Sequence, residues 1–231
     1  MDGKKPRFLC LHGFRTSGEI MKTQLMAKWP ESVTSRLDLV FPDAPFPCGG
    51  KSEVEGIFPP PYFEWYQYNK EFTEYKNLDV CYEFIQDLVI KHGPIDGLLG
   101  FSQGGILSAS LPGLQAKGHA LTKVPKVKYV VIMSGAKFRG DMAEKAYSEK
   151  NTCPSLHFVG EMDFLKKQSE SLVESYVNPL VIYHPKGHTV PRLSDEKSLD
   201  VVDTFLNTIE DVERVTVPPV AEVDYDNQIT I

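Results

Sequence analysis

Short apolar runs alternate along this chain with longer segments in which apolar residues recur with helical spacing. The short runs predict buried strands, and the longer segments predict amphipathic helices. Their alternation is typical of a mostly parallel sheet with crossover helices. The predicted strands are Arg7–Leu11, Leu37–Phe41, Gly97–Phe101, Tyr129–Met133, Leu156–Val159 and Leu180–Tyr183. The predicted helices are Glu19–Lys28, Leu78–Lys91, Gly104–Lys117, Lys166–Tyr176 and Asp195–Val212.

Several helix ends carry specific signals. Ser17 and Gly18 are suited to open the first helix, and Ser194 is suited to cap the last one. Pro112 lies within the segment that begins at Gly104. Because proline has no N–H to donate and crowds the preceding turn, we expect it to end or kink this helix after about two turns.

Residues 42–75 depart from the alternation, since they are rich in Pro, Gly and aromatic residues and contain no clear strand. Eight of the 18 residues in Phe58–Tyr75 are aromatic, against 11% of the whole chain. A long irregular segment in a compact domain is usually functional or disordered, and so aromatic a segment is too apolar for disorder. We expect a cap or pocket wall that contacts substrate through Phe63, Trp65 and Tyr66. A satellite core beneath a long loop is the alternative.

Length and composition fit one soluble globular domain. The chain has 231 residues, of which 42% are hydrophobic and 24% charged. We expect a single α/β domain over residues 1–212 and a loose, acidic, Pro-containing tail over residues 213–231. A net charge of −6 argues against nucleic-acid or membrane-surface partners, and no apolar stretch approaches the roughly 18 residues of a membrane-spanning helix.

The four cysteines favour a reducing compartment. They show no C-x-x-C spacing, and Cys10 and Cys153 lie in or beside predicted buried strands. Free thiols are therefore expected rather than a disulfide framework. The N-terminus lacks the apolar region of a signal peptide. These features predict a cytoplasmic protein, small enough to enter the nucleus as well.

The run Gly100-Phe101-Ser102-Gln103-Gly104 follows a predicted strand directly and leads into a predicted helix. In that context G-x-S-x-G predicts a nucleophile elbow, the sharp turn that exposes a serine at the end of an α/β-hydrolase sheet. The two glycines allow backbone to approach where a Cβ would clash. Ser102 is therefore the candidate nucleophile, and the backbone N–H of Gln103 is a candidate oxyanion donor.

A serine hydroxyl needs a base to take its proton and a carboxylate to orient that base. In this fold the acid and then the histidine follow the serine along the chain, each in a loop after a strand. His188 lies on a glycine-opened loop after the last predicted strand, and His184 at the end of that strand is its rival. Asp163 lies in the loop after the preceding strand, where Glu161 is the alternative acid.

A second oxyanion donor is expected after the first strand. The segment Leu9–Phe14 reads as a strand that ends in His12 and Gly13, which is where α/β-hydrolases place this donor. We expect the backbone N–H of Phe14 to join that of Gln103. His12 is interpreted as a hydrogen-bonding support for the loop rather than as a base.

Four motifs occur in order: Leu-His-Gly-Phe, Gly-Phe-Ser-Gln-Gly-Gly, Gly-Glu-Met-Asp and Gly-His-Thr-Val-Pro. With them the chain resembles the FSH-type family of serine hydrolases, which includes the ovarian-cancer-associated hydrolase group, over about residues 7–212. The resemblance implies an α/β-hydrolase fold, ester or thioester hydrolysis, and a nucleophile, acid and base at Ser102, Asp163 and His188. The chain departs from the family pattern at Phe164-Leu165, where relatives more often have a small or β-branched residue and then Val.

These features predict an enzyme that hydrolyses small-molecule carboxylic esters or thioesters through an acyl-enzyme, without a metal or organic cofactor. The aromatic segment predicts an apolar acyl or alkyl group on the substrate. A peptidase or amidase with the same triad is less favoured, since no carboxylate dedicated to amine recognition stands out. The alternative from another class is a ligand-binding protein on the hydrolase fold that turns nothing over. The complete Ser-Asp-His set argues against that alternative.

Overall fold

The structure is a computed structural model that describes residues 5–216. Ten strands occur in chain order: β1 (Arg7–Leu11), β2 (Asp38–Val40), β3 (Phe46–Pro47), β4 (Phe63–Glu64), β5 (Gln67–Tyr68), β6 (Tyr75–Lys76), β7 (Gly97–Phe101), β8 (Tyr129–Met133), β9 (Ser155–Gly160) and β10 (Leu180–His184). The helices are α1 (Gly18–Lys28), α2 (Glu31–Thr34), α3 (Leu78–His92), α4 (Gln103–Ala116), α5 (Asp141–Tyr147), α6 (Lys166–Val173) and α7 (Glu196–Thr216). Every strand and helix predicted from the sequence is present, with shifted ends at some of them.

Six parallel strands form the central sheet in the order β10-β9-β8-β7-β1-β2. Successive side chains of a strand point to opposite faces of a sheet. In β1, Phe8 and Cys10 therefore join the core beneath α1 and α7, whereas Leu9 and Leu11 join the core beneath α3 and α4. Apolar residues on both faces make this strand a continuous apolar run rather than an alternating one.

The strand order reverses direction between β1 and β7. From β1 the chain passes outward to β2, then returns to the other side of β1 and continues outward through β8, β9 and β10. A crevice opens at the carboxyl ends of the strands at such a reversal, and open α/β sheets bind their ligands there. The loops after β1 and β7 carry the predicted oxyanion loop and Ser102, so both lie at this point.

Two predicted helix ends are wrong. α4 does not end at Pro112 but continues to Ala116, because Leu111 and Leu114 on either side of the proline are fully buried and hold the segment in place. Asp195 rather than Ser194 caps α7: its Oδ1 accepts a 2.9 Å hydrogen bond from the Ser198 N–H. At the start of α1 the prediction is confirmed, since the Ser17 hydroxyl accepts from the Ile20 N–H.

Residues 42–75 contain short strands that the sequence did not predict. β3 pairs with β4 and β5 with β6, both antiparallel and apart from the central sheet. Strands of two residues carry no detectable periodicity. Residues 213–216 continue helix α7, and the rest of the predicted tail lies outside the described residues.

All four cysteines are unpaired, as expected for free thiols. Among residues 5–216, no helix combines the length and apolar character that crossing a membrane requires.

Candidate active site

The nucleophile elbow holds Ser102 in a backbone conformation that few non-glycine residues adopt, with φ 54° and ψ −115°. The Ser102 N–H donates to the Met133 carbonyl on the neighbouring strand. A Cβ on Gly104 would collide with the Leu11 carbonyl, and a Cβ on Gly100 would collide with the carbonyl of Gly104. Both glycines are therefore required for the turn from β7 into α4 to pack against β1.

Ser102, His188 and Asp163 form one hydrogen-bonded row. His188 Nε2 lies 2.9 Å from Ser102 Oγ, and His188 Nδ1 lies 3.0 Å from each carboxylate oxygen of Asp163. The Asp163 carboxylate is almost fully buried, and its Oδ1 also accepts from the Leu165 N–H at 2.8 Å. An imidazole paired with a carboxylate on one side presents its other nitrogen as a base to the hydroxyl.

The rival residues lie elsewhere. Glu161 is exposed and pairs with Lys166 at 3.0 Å. His184 is buried, and within the described part of the chain neither of its ring nitrogens has a hydrogen-bond partner. Burial lowers the pKa of His184, against the opposing effect of the Asp163 charge. Of the four candidates for acid and base, the structure thus brings only Asp163 and His188 to the serine.

The two predicted oxyanion donors border the same cavity as Ser102. Phe14 and Gln103 both line it, one in the loop after β1 and the other at the first residue of α4. Among the described residues, neither backbone N–H has an acceptor. An amide at a helix N-terminus carries the positive end of the helix dipole, which favours a developing negative charge.

His12 supports the loop after β1. Its Nε2 accepts from the Ala44 N–H at 3.0 Å, so the proton of the neutral ring is on Nδ1, which lies 2.8 Å from the Gly13 carbonyl oxygen. Burial lowers the pKa of His12 to about 4, which keeps the ring neutral at neutral pH. The ring therefore connects the oxyanion loop to residues 42–75.

The aromatic segment is fastened to the nucleophile elbow by buried hydrogen bonds. The side chain of Gln103 accepts from the Trp65 N–H at 2.9 Å and donates to the Tyr66 carbonyl at 2.8 Å. The indole N–H of Trp65 donates to the His12 carbonyl at 2.9 Å. The same residue that offers the oxyanion amide therefore also holds the aromatic segment with its side chain.

A cavity of about 610 Å³ opens over Ser102. The triad histidine and both oxyanion residues line it, together with four aromatic residues of the segment that follows β4 and with two of the acid loop. These aromatic and acid-loop residues are Tyr66, Tyr68, Phe72, Tyr75, Phe164 and Leu165. The volume is in the range of sites for small organic molecules, and the lining is mostly apolar.

Of the three aromatic residues predicted to contact substrate, Tyr66 alone lines this cavity. Trp65 is fully buried behind it, because its indole is used to hold the loop after β1. Phe63 pairs with Pro47 in the β3–β4 ladder and lies off the cavity wall.

Among the described residues, no group of three or more His, Cys, Asp or Glu side chains is placed to hold a metal ion.

The sequence analysis did not identify Lys137 and Arg139, which also line the cavity. They lie in the loop after β8, the neighbour of the nucleophile strand. Their position in the loop that follows a buried parallel strand was the available signal, because such loops converge at one edge of the sheet.

Comparison with known proteins identifies relatives over most of the chain. The family described as serine hydrolase (FSH1) matches residues 1–199. An uncharacterized hydrolase of Schizosaccharomyces pombe is 30% identical over 223 residues, which cover 87% of this chain and 51% of the yeast protein. This chain thus spans about half the length of that relative. An esterase of Anopheles gambiae is 30% identical over 217 residues, covering 90% of this chain and 79% of the mosquito protein.

Solved structures match the fold. The crystal structure of Zea mays acyl-protein thioesterase 2 superposes with a TM-score of 0.60 at 18% identity, covering 90% of this chain and 95% of the maize chain. A similarity at this level of identity shows the fold alone. The predicted α/β-hydrolase fold is confirmed.

Proposed function

This chain belongs to the serine hydrolase (FSH1) family, and on that premise we propose that it hydrolyses carboxylic esters or thioesters through an acyl-enzyme on Ser102. His188 is the general base and Asp163 the acid that orients it. The backbone N–H groups of Phe14 and Gln103 stabilise the oxyanion. The observation that carries this proposal is the 2.9 Å contact of His188 Nε2 with Ser102 Oγ, with the Asp163 carboxylate on the opposite nitrogen.

The reaction proceeds in two halves. As Ser102 Oγ attacks the carbonyl carbon, its proton passes to His188 Nε2, and the carbonyl oxygen becomes an oxyanion held by the two backbone amides. When the tetrahedral intermediate collapses, the imidazolium gives that proton to the departing alcohol or thiol. Water then attacks the acyl-enzyme and loses a proton to His188, and a second collapse releases the carboxylic acid and returns the proton to Ser102 Oγ.

The surroundings of the triad suit these steps. Burial of the Asp163 carboxylate favours pairing with an imidazolium over solvation by water. The rings of Phe101 and Phe164 lie 5.0 and 4.5 Å from the His188 ring, centroid to centroid. They restrict the imidazole to the orientation that faces the serine. Each oxyanion donor contributes roughly 2.7–4 kcal/mol in comparable enzymes.

The aromatic lining favours a substrate with an apolar acyl or alkyl group. Tyr66 and Tyr75 meet edge to face at 5.8 Å, and the stack of Tyr68 on Phe72 at 4.6 Å extends this wall. On p-nitrophenyl esters of increasing acyl length, we expect kcat/KM to rise from acetyl to octanoyl. Equal values for the two esters would contradict this part of the proposal.

The test of the proposed chemistry is labelling with a fluorophosphonate probe. Wild type and His184→Ala should be labelled, whereas Ser102→Ala should not, and His188→Ala should be labelled only very slowly. Hydrolysis by Ser102→Ala and His188→Ala should fall by about 10³-fold or more. The absence of labelling in well-folded wild type would contradict the proposal and favour a ligand-binding protein on the same fold. Activity that survives in His188→Ala but is lost in His184→Ala would make His184 the base.

We propose a cytoplasmic location for this protein. Four unpaired thiols support a cytoplasmic protein, since disulfides are rare in that compartment.

A further inference from the structure

A second, more open cavity of about 300 Å³ adjoins the one over Ser102. The two share Lys137, Arg139 and Gln168 as lining residues. Lys167 and Ser171, one turn apart on α6, complete the polar lining of the second cavity, which we call the basic groove. Its lining therefore includes three basic residues and no acidic one.

The chain path explains why Lys137 and Arg139 both face this groove. Phe138 between them is buried and packs on Tyr75 and Tyr66, with ring centroids 4.8 and 5.6 Å apart. On either side of it, Lys137 is half-buried and Arg139 is exposed. Anchoring Phe138 in the aromatic cluster therefore leaves both of its neighbours at the groove, where they form part of the lining.

Further contacts hold this loop in place. The Ser169 hydroxyl on α6 donates to the Gly135 carbonyl at 2.7 Å, which fixes the loop against the helix that carries Lys167. The backbone N–H of Arg139 donates to the Tyr75 hydroxyl at 2.9 Å, and its guanidinium donates to the Glu71 carbonyl at 3.2 Å. The guanidinium keeps further N–H groups for another acceptor.

The three cations of the groove have no carboxylate partner. Within the described residues, no ion pair involves Lys137, Arg139 or Lys167. Two other cations near the cavities are paired: Arg15 binds the buried Glu64 at 2.7 Å, and Lys166 binds Glu161 at 3.0 Å. In a chain of net charge −6, a concave surface with three cations that lack a carboxylate partner, adjoining the cavity over Ser102, attracts an anion.

We propose that the substrates of this enzyme carry an anionic group, a phosphate or a carboxylate, remote from the scissile carbonyl, and that this group binds in the basic groove between Lys137, Arg139 and Lys167. This rests on the proposed hydrolase function. The apolar cavity receives the part of the substrate next to the carbonyl. The groove selects for the charge beyond it, since a planar guanidinium and two ammonium groups suit phosphate and carboxylate oxygens.

The experiment compares two pairs of substrates, each with one anionic member. Butyryl-coenzyme A is paired with the butyryl thioester of N-acetylcysteamine, which places the anion in the leaving group. The mono-p-nitrophenyl ester of adipic acid is paired with p-nitrophenyl hexanoate, which places it in the acyl part. In at least one pair, we expect wild type to favour the anionic member by about tenfold in kcat/KM, as three partly exposed ion contacts would give. This preference should shrink as ionic strength rises.

The combined variant Lys137→Gln, Arg139→Gln, Lys167→Gln should lose the preference through a raised KM, with little change in kcat. Its matched control removes three exposed lysines that line neither cavity: Lys91→Gln, Lys117→Gln, Lys126→Gln. The control has the same net charge and should keep the preference.

Three outcomes would overturn the inference. Wild type could show no preference in either pair, the groove variant could keep the preference of wild type, or the control could lose it to the same extent. In each case hydrolysis of the neutral esters would still support the proposed function. If wild type hydrolysed none of the four compounds, the proposed function would fail, and this inference with it.

Discussion

The loops that carry the triad and the aromatic segment of residues 42–75 border one cavity but are held by different forces. Ser102, Asp163 and His188 each follow a strand of one parallel sheet, so backbone hydrogen bonds fix their spacing. Residues 42–75 lie apart from that sheet, in two short antiparallel pairs. They are fastened to it mainly by side chains, those of Gln103 and His12, and by one backbone bridge between Phe63 and Thr16.

The triad needs its atoms to be placed accurately, whereas the aromatic wall needs only an approximate shape. Proton transfer between His188 and Ser102 tolerates little displacement, and a rigid sheet supplies the required accuracy. An apolar wall has only to fill space and exclude water. Packed aromatic rings on a loop achieve this, and loops vary more freely than the elements they connect.

The largest effect is expected from a change in the triad loops that leaves the aromatic segment untouched. Asp163→Asn should reduce kcat by about 10⁴-fold, because the amide no longer holds the histidine in the tautomer that accepts the serine proton. Glu161→Gln is the matched control in the same loop and should retain nearly full activity, since Glu161 is exposed and pairs with Lys166. Steady-state kinetics on one p-nitrophenyl ester decides the matter. Comparable losses in the two variants would show that activity depends on the conformation of this loop rather than on the Asp163 carboxylate.

Alanine substitution of one glycine in each region tests how well the backbone there accommodates an added Cβ. Gly104→Ala should lower the free energy of unfolding by about 3 kcal/mol or more, because the new Cβ would collide with the Leu11 carbonyl between β1 and α4. Gly49→Ala, in the aromatic segment, has open space around its Cβ and should change the stability by no more than about 0.5 kcal/mol. Urea unfolding measures both. A well-tolerated Gly104→Ala would mean that the elbow can move, contrary to the rigidity argued above.

Removing the side-chain amide of Gln103, which joins the two regions, should lower both the stability and the activity. Gln103→Leu leaves the Trp65 N–H and the Tyr66 carbonyl without partners, at about 2 kcal/mol of stability. It should also lower kcat/KM by about tenfold or more, because the cavity wall shifts relative to the nucleophile.

Gln115→Leu is the matched control for this variant. Gln115 likewise bridges backbone groups, accepting from the Val127 N–H and donating to the Leu121 carbonyl, but lines neither cavity. It should lose similar stability and keep its kcat/KM. Equal losses of activity in the two variants would mean that Gln103 acts only through general stability.

Acid should lower the free energy of unfolding by a smaller amount, in part by protonating His12, which joins the two regions. Burial lowers the pKa of His12 to about 4 and that of His157 to about 3, so both are neutral when folded and titrate near 6.5 when unfolded. Below pH 6.5 the unfolded state binds more protons, and stability falls as the pH falls. Each histidine contributes up to about 1.4 kcal/mol per pH unit until its folded pKa is reached.

Urea unfolding at pH 7 and pH 5.5 measures this slope. His157→Gln should remove a large part of it, because burial lowers the pKa of His157 to about 3. The remainder belongs to His12, whose Nε2 could no longer accept from Ala44 once protonated, and to His184, whose pKa burial also lowers. A stability that does not change between pH 7 and pH 5.5 would contradict the neutral, buried state of both rings.

The sequence predicted the sheet and the order of its chemical groups well, because both depend on local patterns. The strands Arg7–Leu11 and Gly97–Phe101 are apolar runs buried on both faces, and their bounds match those of the structure. The spacing of glycines around Ser102 is dictated by a turn that admits no Cβ at Gly100 or Gly104. Such requirements restrict which residue types can occupy the position itself, so they can be recognised in the sequence.

Two of the predictions were wrong because contacts distant in sequence decided the outcome. α4 continues past Pro112 because the residues around it are buried against other elements. Trp65 faces the loop after β1 rather than the cavity, because its indole finds the His12 carbonyl 53 positions away. Helix α5 (Asp141–Tyr147) was not predicted for a different reason: it is too short for its periodicity to be recognised.

By itself the sequence determined the parallel sheet, the elbow at Ser102 and the chain order of nucleophile, acid and base. These depend on the period of apolar residues and on backbone conformations that few residue types allow. Only the tertiary structure decided which carboxylate and which histidine reach the serine, and that Lys137, Arg139 and Lys167 meet in one groove. Side chains brought together by different loops and helices share no local pattern, because their proximity arises only when the sheet is assembled.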